Sequence, residues 1–268
     1  MESKFIKYQN KNIHYKVSGK GKAVVLLHGF GEDGNIWNEL AEEFQNDLYV
    51  IVPDIPGSGQ SEMLDGENII ATGRQVSIED YAEVIKVILD KEIIAGCGII
   101  GHSMGGYITL AFTKKYPEML NRFGLFHSTA FADDEAKKQN RVKAIDFIKA
   151  NGAYAFLRTT IPNLFADKQH QTKIEELIEK GRNFTPQTLI QYYQAMMNRS
   201  DTTDILKEFN KPILFIIGEK DNAIPLQSSL QQCYLPIISH VNILDVGHMG
   251  MIEQTEKCKI IIRLFINT

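Results

Sequence analysis

The 268-residue sequence predicts an α/β fold, in which helices cover a mostly parallel sheet and a block of helices is inserted late in the chain. Three observations support this prediction. Short, continuously apolar segments recur along the chain, which is typical of strands covered on both faces. Segments with helical periodicity separate them, as the crossovers of a parallel sheet require. The stretch 131–210 then carries helical patterns and no convincing strand pattern.

The strand predictions begin with an N-terminal hairpin. Residues 4–8 and 13–17 carry a β pattern, and Asn10-Lys11-Asn12 supplies the turn between them. Farther along, continuously apolar and β-branched runs predict core strands. These runs are residues 23–27 (AVVLL), 49–52 (YVIV), 98–100 (GII), 213–217 (ILFII) and, more weakly, 241–244 (VNIL).

Helices are predicted between and after these strands. Ser77 is a typical N-cap residue, with Asp80 in the first turn of a helix over 78–91. A second helix, 107–116, ends before Pro117, because the residue preceding proline disfavours the helical conformation. A terminal helix is predicted over 253–266.

The block 131–210 is predicted to be a helical insertion between two sheet strands. Its predicted helices span 133–151 (followed by Gly152), 173–180, and about 185–198, where Thr185-Pro186 supplies an N-cap and a first-turn proline. The predicted domain organisation is therefore a core formed by residues 1–130 and 211–268, with the insertion at 131–210.

Composition excludes several function classes. The 29 basic and 33 acidic side chains give a net charge of −4, which argues against a nucleic-acid partner. The three cysteines lack the spacing of a zinc or redox pair. No apolar run approaches the ~20 residues of a membrane span, and the N-terminus lacks a signal-peptide pattern. We therefore predict a cytoplasmic protein, with a homodimer as the candidate oligomeric state.

A nucleophile is predicted in the segment GHSMGG, residues 101–106. This G-x-S-x-G pattern follows the GII strand and precedes a helix, the context of a nucleophile elbow. Ser103 then lies on a strained strand-to-helix turn, where side chains at Gly101 and Gly105 would collide. The alternative interpretation is a glycine-rich turn with an incidental serine.

A base and an acid follow Ser103 along the chain. His248, after the last predicted strand, is the best candidate base, because loops at the carboxyl ends of parallel strands form the ligand crevice. Asp221 is the preferred acid to orient it, which gives the order Ser, Asp, His of this motif's hydrolases. Glu219, Asp245 and an acid after the preceding strand remain alternatives; the last is weakened because the first carboxylate after that strand is Asp133.

Two backbone amides are predicted to hold an oxyanion. The first is the amide of Met104, the residue after the nucleophile, and the second is that of Phe30 in the HGFG turn after the AVVLL strand. The alternative for residues 28–31 is a simple tight turn.

Together the motifs resemble the α/β-hydrolase superfamily, especially its small capped esterase, lactonase and C–C hydrolase members. The resemblance rests on HGF at 28–30, DIPGSGQS at 54–61, GHSMGG at 101–106, GEKD at 218–221 and GHM at 247–249. It implies an eight-stranded, mostly parallel sheet with helices on both faces and a helical cap at 131–210 inserted after the sixth strand. It also implies a reaction that needs no metal and no cofactor. A serine nucleophile argues against the haloalkane dehalogenase and epoxide hydrolase branches, which carry aspartate there.

The predicted function is hydrolysis of a small, largely apolar carboxylic ester or lactone through an acyl-enzyme. The predicted partner is thus a small-molecule substrate, chosen by apolar residues of the cap. The candidate lining residues are Phe156, Leu157, Ile161, Phe165, Tyr192, Tyr193, Met196 and Met197. C–C bond hydrolysis, cofactor-free perhydrolysis and a non-catalytic ligand sensor with the same fold remain alternatives.

Overall fold

A computed structural model describes residues 1–64, 75–167 and 169–268, and within these ranges eight strands form one sheet. The strands are β1 (Glu2–Tyr8), β2 (Lys11–Ser18), β3 (Lys22–Leu27), β4 (Leu48–Pro53), β5 (Cys97–His102), β6 (Leu120–Phe126), β7 (Ile213–Gly218) and β8 (Ser239–Leu244). Their spatial order is β1-β2-β4-β3-β5-β6-β7-β8. The prediction of an α/β fold with an eight-stranded sheet is confirmed.

Strand direction changes only near the N-terminus. The pairs β1–β2 and β2–β4 are antiparallel, whereas every pair from β4 to β8 is parallel. Strand β7 is buried along its whole length, as its continuous apolarity predicts. Strand β8 lies at the sheet edge and exposes Val241 and Ile243, which explains its weaker apolar pattern.

The helices flank the strands on both faces of the sheet. They are α1 (Asn38–Phe44), α2 (Ile78–Lys91), α3 (Met104–Lys115), α4 (Glu135–Asn151), α5 (Ala153–Thr160), α6 (Gln171–Lys180), α7 (Pro186–Asn198), α8 (Thr203–Glu208), α9 (Leu226–Cys233), α10 (Gly250–Glu253) and α11 (Thr255–Asn267). Helix α1 packs against α11, and α2 packs against α3. None of the helices in the described ranges has the length and apolarity needed to cross a bilayer.

Local capping sets several helix starts. Ser77 and Asp80 form a capping box at the start of α2, where the Asp80 carboxylate accepts the Ser77 N–H at 2.8 Å. The Thr185 hydroxyl accepts the Thr188 N–H at 3.1 Å and caps α7. Helix α4 begins two residues later than predicted because Asp134 is its cap and accepts the Lys137 N–H.

The segment 131–210 contains α4 to α8, and its described residues form no strand. Two of these helices, α5 and α8, are absent from the sequence-based prediction. Gly152 separates α4 from α5, and its φ of 86° is one that glycine adopts without strain. This segment joins β6 to β7, and several of its residues line a cavity together with Ser103, which follows the carboxyl end of β5.

Candidate active site

Ser103 occupies a strained turn between β5 and α3. Its backbone has φ of 50° and ψ of −115°, a conformation that non-glycine residues rarely adopt. The turn is tight because a Cβ atom at Gly101 would lie 2.3 Å from the Gly105 carbonyl oxygen. The Ser103 N–H donates to the Phe126 carbonyl at 3.0 Å, which fixes the turn against β6.

His248 and Asp221 are joined by a hydrogen bond. His248 Nδ1 lies 2.8 Å from Asp221 Oδ2, and both side chains are buried. The other carboxylate oxygen of Asp221 accepts the N–H groups of Ala223 (2.8 Å) and Ile224 (2.9 Å). Burial raises the pKa of Asp221, but His248, His127 and the Ile224 amide together outweigh it and lower the pKa to about 2. An anionic Asp221 therefore holds the His248 proton on Nδ1, which leaves Nε2 as the basic nitrogen.

The alternative acids lie elsewhere. Glu219 is exposed, and Asp245 forms a surface ion pair of 2.6 Å with Lys220. Asp133 is buried, but it pairs with Arg141 and Arg199 rather than with a histidine. Of the four candidate acids, only Asp221 contacts His248.

Ser103 and His248 line one cavity of about 800 Å³. Their side chains form no direct hydrogen bond with each other in the described structure, and catalytic hydrogen bonds are often longer before substrate binds. Of the apolar residues predicted to line the cavity from segment 131–210, half do so. These are Leu157, Ile161, Tyr193 and Met196; Phe156, Phe165, Tyr192 and Met197 lie outside its lining.

The backbone amides of Phe30 and Met104 have no hydrogen-bond partner among the described residues. The neighbouring amides of Gly29 and Ser103 are both satisfied. Met104 also begins α3, whose N-terminus favours negative charge. Phe30 lines the cavity, as does Ser103. The two amides thus have the free donors that an oxyanion requires.

A buried ion pair between Glu32 and His102, which the sequence analysis did not predict, connects the segments that carry Phe30, Ser103 and His248. His102 Nδ1 lies 3.0 Å from Glu32 Oε2, and His102 Nε2 lies 2.9 Å from the His248 carbonyl oxygen. Both ring nitrogens therefore face acceptors, and because a neutral ring donates through only one nitrogen, this arrangement favours the imidazolium form. Burial lowers the pKa of His102, but Glu32 more than offsets this and raises it above the usual value. The Glu32 carboxylate also accepts the Gly29 N–H at 2.7 Å, so the pair joins the Phe30 loop to the His248 loop.

Replacing Glu32 by alanine is expected to lower the free energy of unfolding by about 3 to 5 kcal/mol, because it leaves His102 buried without its counter-charge. Urea-induced unfolding at neutral pH measures the loss. Glu42→Ala, at an exposed position of α1, is the matched control and should change stability by less than about 0.5 kcal/mol. Equal stability of Glu32→Ala and the wild type would contradict the ion pair.

His127 directly follows β6, the strand after which the sequence analysis kept an alternative catalytic acid. Its Nδ1 lies 3.6 Å from Asp221 Oδ2, and its Nε2 accepts the Gly250 N–H at 3.3 Å. Burial holds the pKa of His127 well below its usual value, so the ring is neutral. His127 packs behind Asp221 and does not line the cavity. No group of three or more His, Cys, Asp or Glu side chains in the described ranges is arranged to hold a metal ion.

Comparisons with known proteins agree with this architecture. Pyrrolizixenacetamide deacetylase of Xenorhabdus hominickii is 23% identical over 97% of this chain and 97% of its own length. The 2-hydroxy-6-oxo-6-phenylhexa-2,4-dienoate hydrolase of Comamonas testosteroni is 27% identical and covers 85% of this chain and 83% of its own. A solved thermophilic esterase from Thermogutta terrifontis, with malate bound, has a TM-score of 0.89 at 25% identity and covers 100% of this chain and 98% of its own.

A family model described as "alpha/beta hydrolase fold" matches residues 22–255, which include every residue of the candidate site. With this match and the relatives' hydrolytic names, the protein is assigned to the hydrolases. The resemblance inferred from the five motifs is confirmed: the chain belongs to the alpha/beta hydrolase fold family.

Proposed function

We propose that this protein is a serine hydrolase that cleaves a small, largely apolar carboxylic ester or lactone through an acyl-enzyme. The observation that carries the proposal is the 2.8 Å hydrogen bond between His248 and Asp221 at the cavity that Ser103 lines. The strained turn at Ser103 supports it, because such strain is concentrated at functional sites.

In the proposed reaction, the Ser103 hydroxyl attacks the substrate carbonyl carbon while His248 Nε2 accepts the hydroxyl proton. Asp221 holds the imidazole orientation and stabilises the imidazolium that forms. The carbonyl oxygen becomes an oxyanion, which accepts hydrogen bonds from the amides of Phe30 and Met104. His248 then protonates the departing alkoxide, and the acyl group remains on Ser103.

Water completes the cycle in the second half of the reaction. His248 Nε2 removes a proton from water as the water attacks the acyl-enzyme carbonyl. The same two amides stabilise the second oxyanion, and the Ser103 oxygen leaves as it regains its proton from His248. The carboxylic acid product then departs.

We assign residues 131–210 to a cap that chooses the substrate and residues 1–130 and 211–268 to the hydrolase core. Leu157, Ile161, Tyr193 and Met196 support this assignment, because they contribute apolar cavity lining from the inserted segment. The core contributes Ser103, Asp221 and His248.

A second candidate is C–C bond hydrolysis on the same residues. It is favoured by relatives named as hydroxy-oxo-dienoate hydrolases, which are 27% and 28% identical over 85% of this chain. A short series of 4-nitrophenyl esters tested against a vinylogous diketone separates the two reactions. Faster cleavage of the diketone would replace the ester proposal.

Labelling with a fluorophosphonate tests the nucleophile directly. We expect one phosphonylated peptide, the one containing Ser103, because this hydroxyl lines the same cavity as His248, its proposed base. Mass spectrometry of the digested protein locates the label, and Ser103→Ala should abolish it. A label at another residue, or none, would favour a non-catalytic ligand sensor.

A further inference from the structure

A group of charged side chains lies in the cavity wall away from the proposed catalytic residues. Asp133, fully buried, receives Arg141 Nε at 2.5 Å and Arg199 Nη1 at 2.8 Å. Arg141 and Arg199 both line the cavity. Their side chains are only 11% and 6% exposed. Two guanidinium groups thus share one carboxylate in a poorly hydrated wall.

The two arginines differ in how many of their hydrogen-bond donors are unpaired. Arg199 is used by the fold, since it also donates to the carbonyls of Met196 (2.7 Å) and Phe131 (2.8 Å) and stacks on the Tyr107 ring at 3.9 Å. Arg141 uses Nε and Nη2 on Asp133, while its Nη1 amino group donates to no described residue. Arg141 therefore has unused donors on a nearly buried guanidinium.

The charge of this wall is unbalanced among the described residues. Lys137 lies 4.0 Å from Asp133 and adds a third cation to Arg141 and Arg199. Lys137 is one-third exposed, and Asp134, which also lines the cavity, matches its charge. Arg141 and Arg199 are nearly buried and share the single carboxylate of Asp133, so one buried positive charge is in excess. Glu32, the other acid of the cavity lining, is already paired with His102. A buried cation that shares its counter-ion with a second cation favours an anionic ligand.

The position of Arg141 relates this charge to the reaction centre. Its guanidinium lies 5.4 Å from the centroid of the Tyr193 ring, which stacks on Phe30 at 4.4 Å. Arg141 is therefore two ring contacts from the residue whose amide faces the reacting oxygen in the proposed mechanism. The intervening wall is aromatic, which suits an apolar spacer in the ligand.

We propose that Arg141 binds a carboxylate carried by the substrate, so that the preferred ester is a monoanion with an apolar spacer between its carboxylate and the scissile carbonyl. This inference rests on the proposed function and specifies its substrate class. Arginine suits the role because its planar donors match a carboxylate. The carboxylate is carried either on the acyl chain or on the leaving group, and matched substrates distinguish these.

The test compares anionic and neutral esters of equal length. Comparing the 4-nitrophenyl monoester of adipic acid with 4-nitrophenyl hexanoate tests a carboxylate on the acyl chain. Comparing 4-acetoxybenzoate with its methyl ester tests a carboxylate on the leaving group. We expect kcat/KM to favour the anion about tenfold or more in one pair, the scale of a charge-assisted hydrogen bond. Arg141→Gln should bring this ratio near one. Arg182→Gln, at an exposed arginine of the same segment paired with Glu179, should leave the ratio unchanged.

Two further measurements keep the outcome decisive. Arg141→Lys retains a cation beside Asp133 but lacks the guanidinium donors, so it tests those donors even if Arg141→Gln does not fold. Its ratio of kcat/KM for the anionic ester to kcat/KM for the neutral ester should fall below the wild-type ratio. Calorimetry on Ser103→Ala compares monomethyl adipate with methyl hexanoate, and methyl 4-acetoxybenzoate with its free acid, without turnover. A kcat/KM ratio of anionic to neutral ester of one or less in both pairs, with no calorimetric preference for the anion, would overturn the carboxylate subsite. In that case, cleavage of neutral esters that depends on Ser103 would still support the proposed function.

Discussion

Replacing Ser103 by alanine is expected to lower kcat for 4-nitrophenyl esters about 10⁵-fold. The reason is that the covalent route disappears and only binding and oxyanion stabilisation remain, which give about 10³- to 10⁴-fold acceleration over water. Initial rates under substrate saturation measure kcat, and single-turnover reactions separate acylation from product release.

The matched control is Ser228→Ala, which removes another hydroxyl from the same cavity wall. Among the described residues that hydroxyl donates only to the Pro225 carbonyl, at 3.1 Å, and we expect kcat to stay within about threefold. Alanine at Ser103 inherits the strained backbone with φ of 50°, so folding is checked by thermal unfolding. Ester turnover by Ser103→Ala at the wild-type rate would remove Ser103 from the mechanism.

Features that depend on neighbours in the chain were predictable from the sequence. The caps at Ser77 and Thr185 join residues three positions apart, so their patterns are visible in a linear reading. The nucleophile turn is equally local, because Gly101 and Gly105 flank Ser103 within one strand-to-helix connection. For the same reason the family could be identified before the fold was known.

Features set by tertiary contacts escaped the sequence. The helix predicted over 253–266 is interrupted at Gln254, where the Glu253 carboxylate turns to accept the N–H groups of Gly247 (2.9 Å) and Ala166 (2.8 Å). Helix α3 begins at Met104 rather than Tyr107, because the turn at Ser103 leads directly into it. Both boundaries depend on the loops that build the site, and periodicity carries no information about them.

The charged groups around the site were missed for the same reason. Glu32 and His102 are 70 residues apart, and no spacing rule pairs them. The sequence offers Asp133 only as a weak alternative to Asp221, whereas in the structure Asp133 pairs with Arg141 and Arg199. A buried charge needs a partner, but the burial of Glu32 is set by tertiary contacts and cannot be seen in the sequence.

Replacing Asp221 by asparagine is expected to lower kcat about 10⁴-fold near neutral pH, although the two side chains have nearly the same size and shape. The amide no longer holds the His248 proton on Nδ1 and no longer stabilises the imidazolium, so Nε2 loses its basic form. Asp245→Asn, at an exposed acid paired with Lys220, is the control and should keep wild-type activity. Equal kcat for Asp221→Asn and the wild type would assign the orienting role to another acid.

The same substitution has a pH signature that a merely steric role would not produce. The folded-state pKa of Asp221, about 2, lies below its ordinary 3.8, so its ionised carboxylate stabilises the fold at pH above 3.8. That contribution, on the order of 2 kcal/mol, disappears as the pH falls from 3.8 towards 2. The stability difference between the wild type and Asp221→Asn should therefore shrink across this window in chemical unfolding measured at successive pH values. A difference independent of pH would mean that Asp221 acts through packing, since only a charge held by His248 and the Ala223 and Ile224 amides titrates in this way.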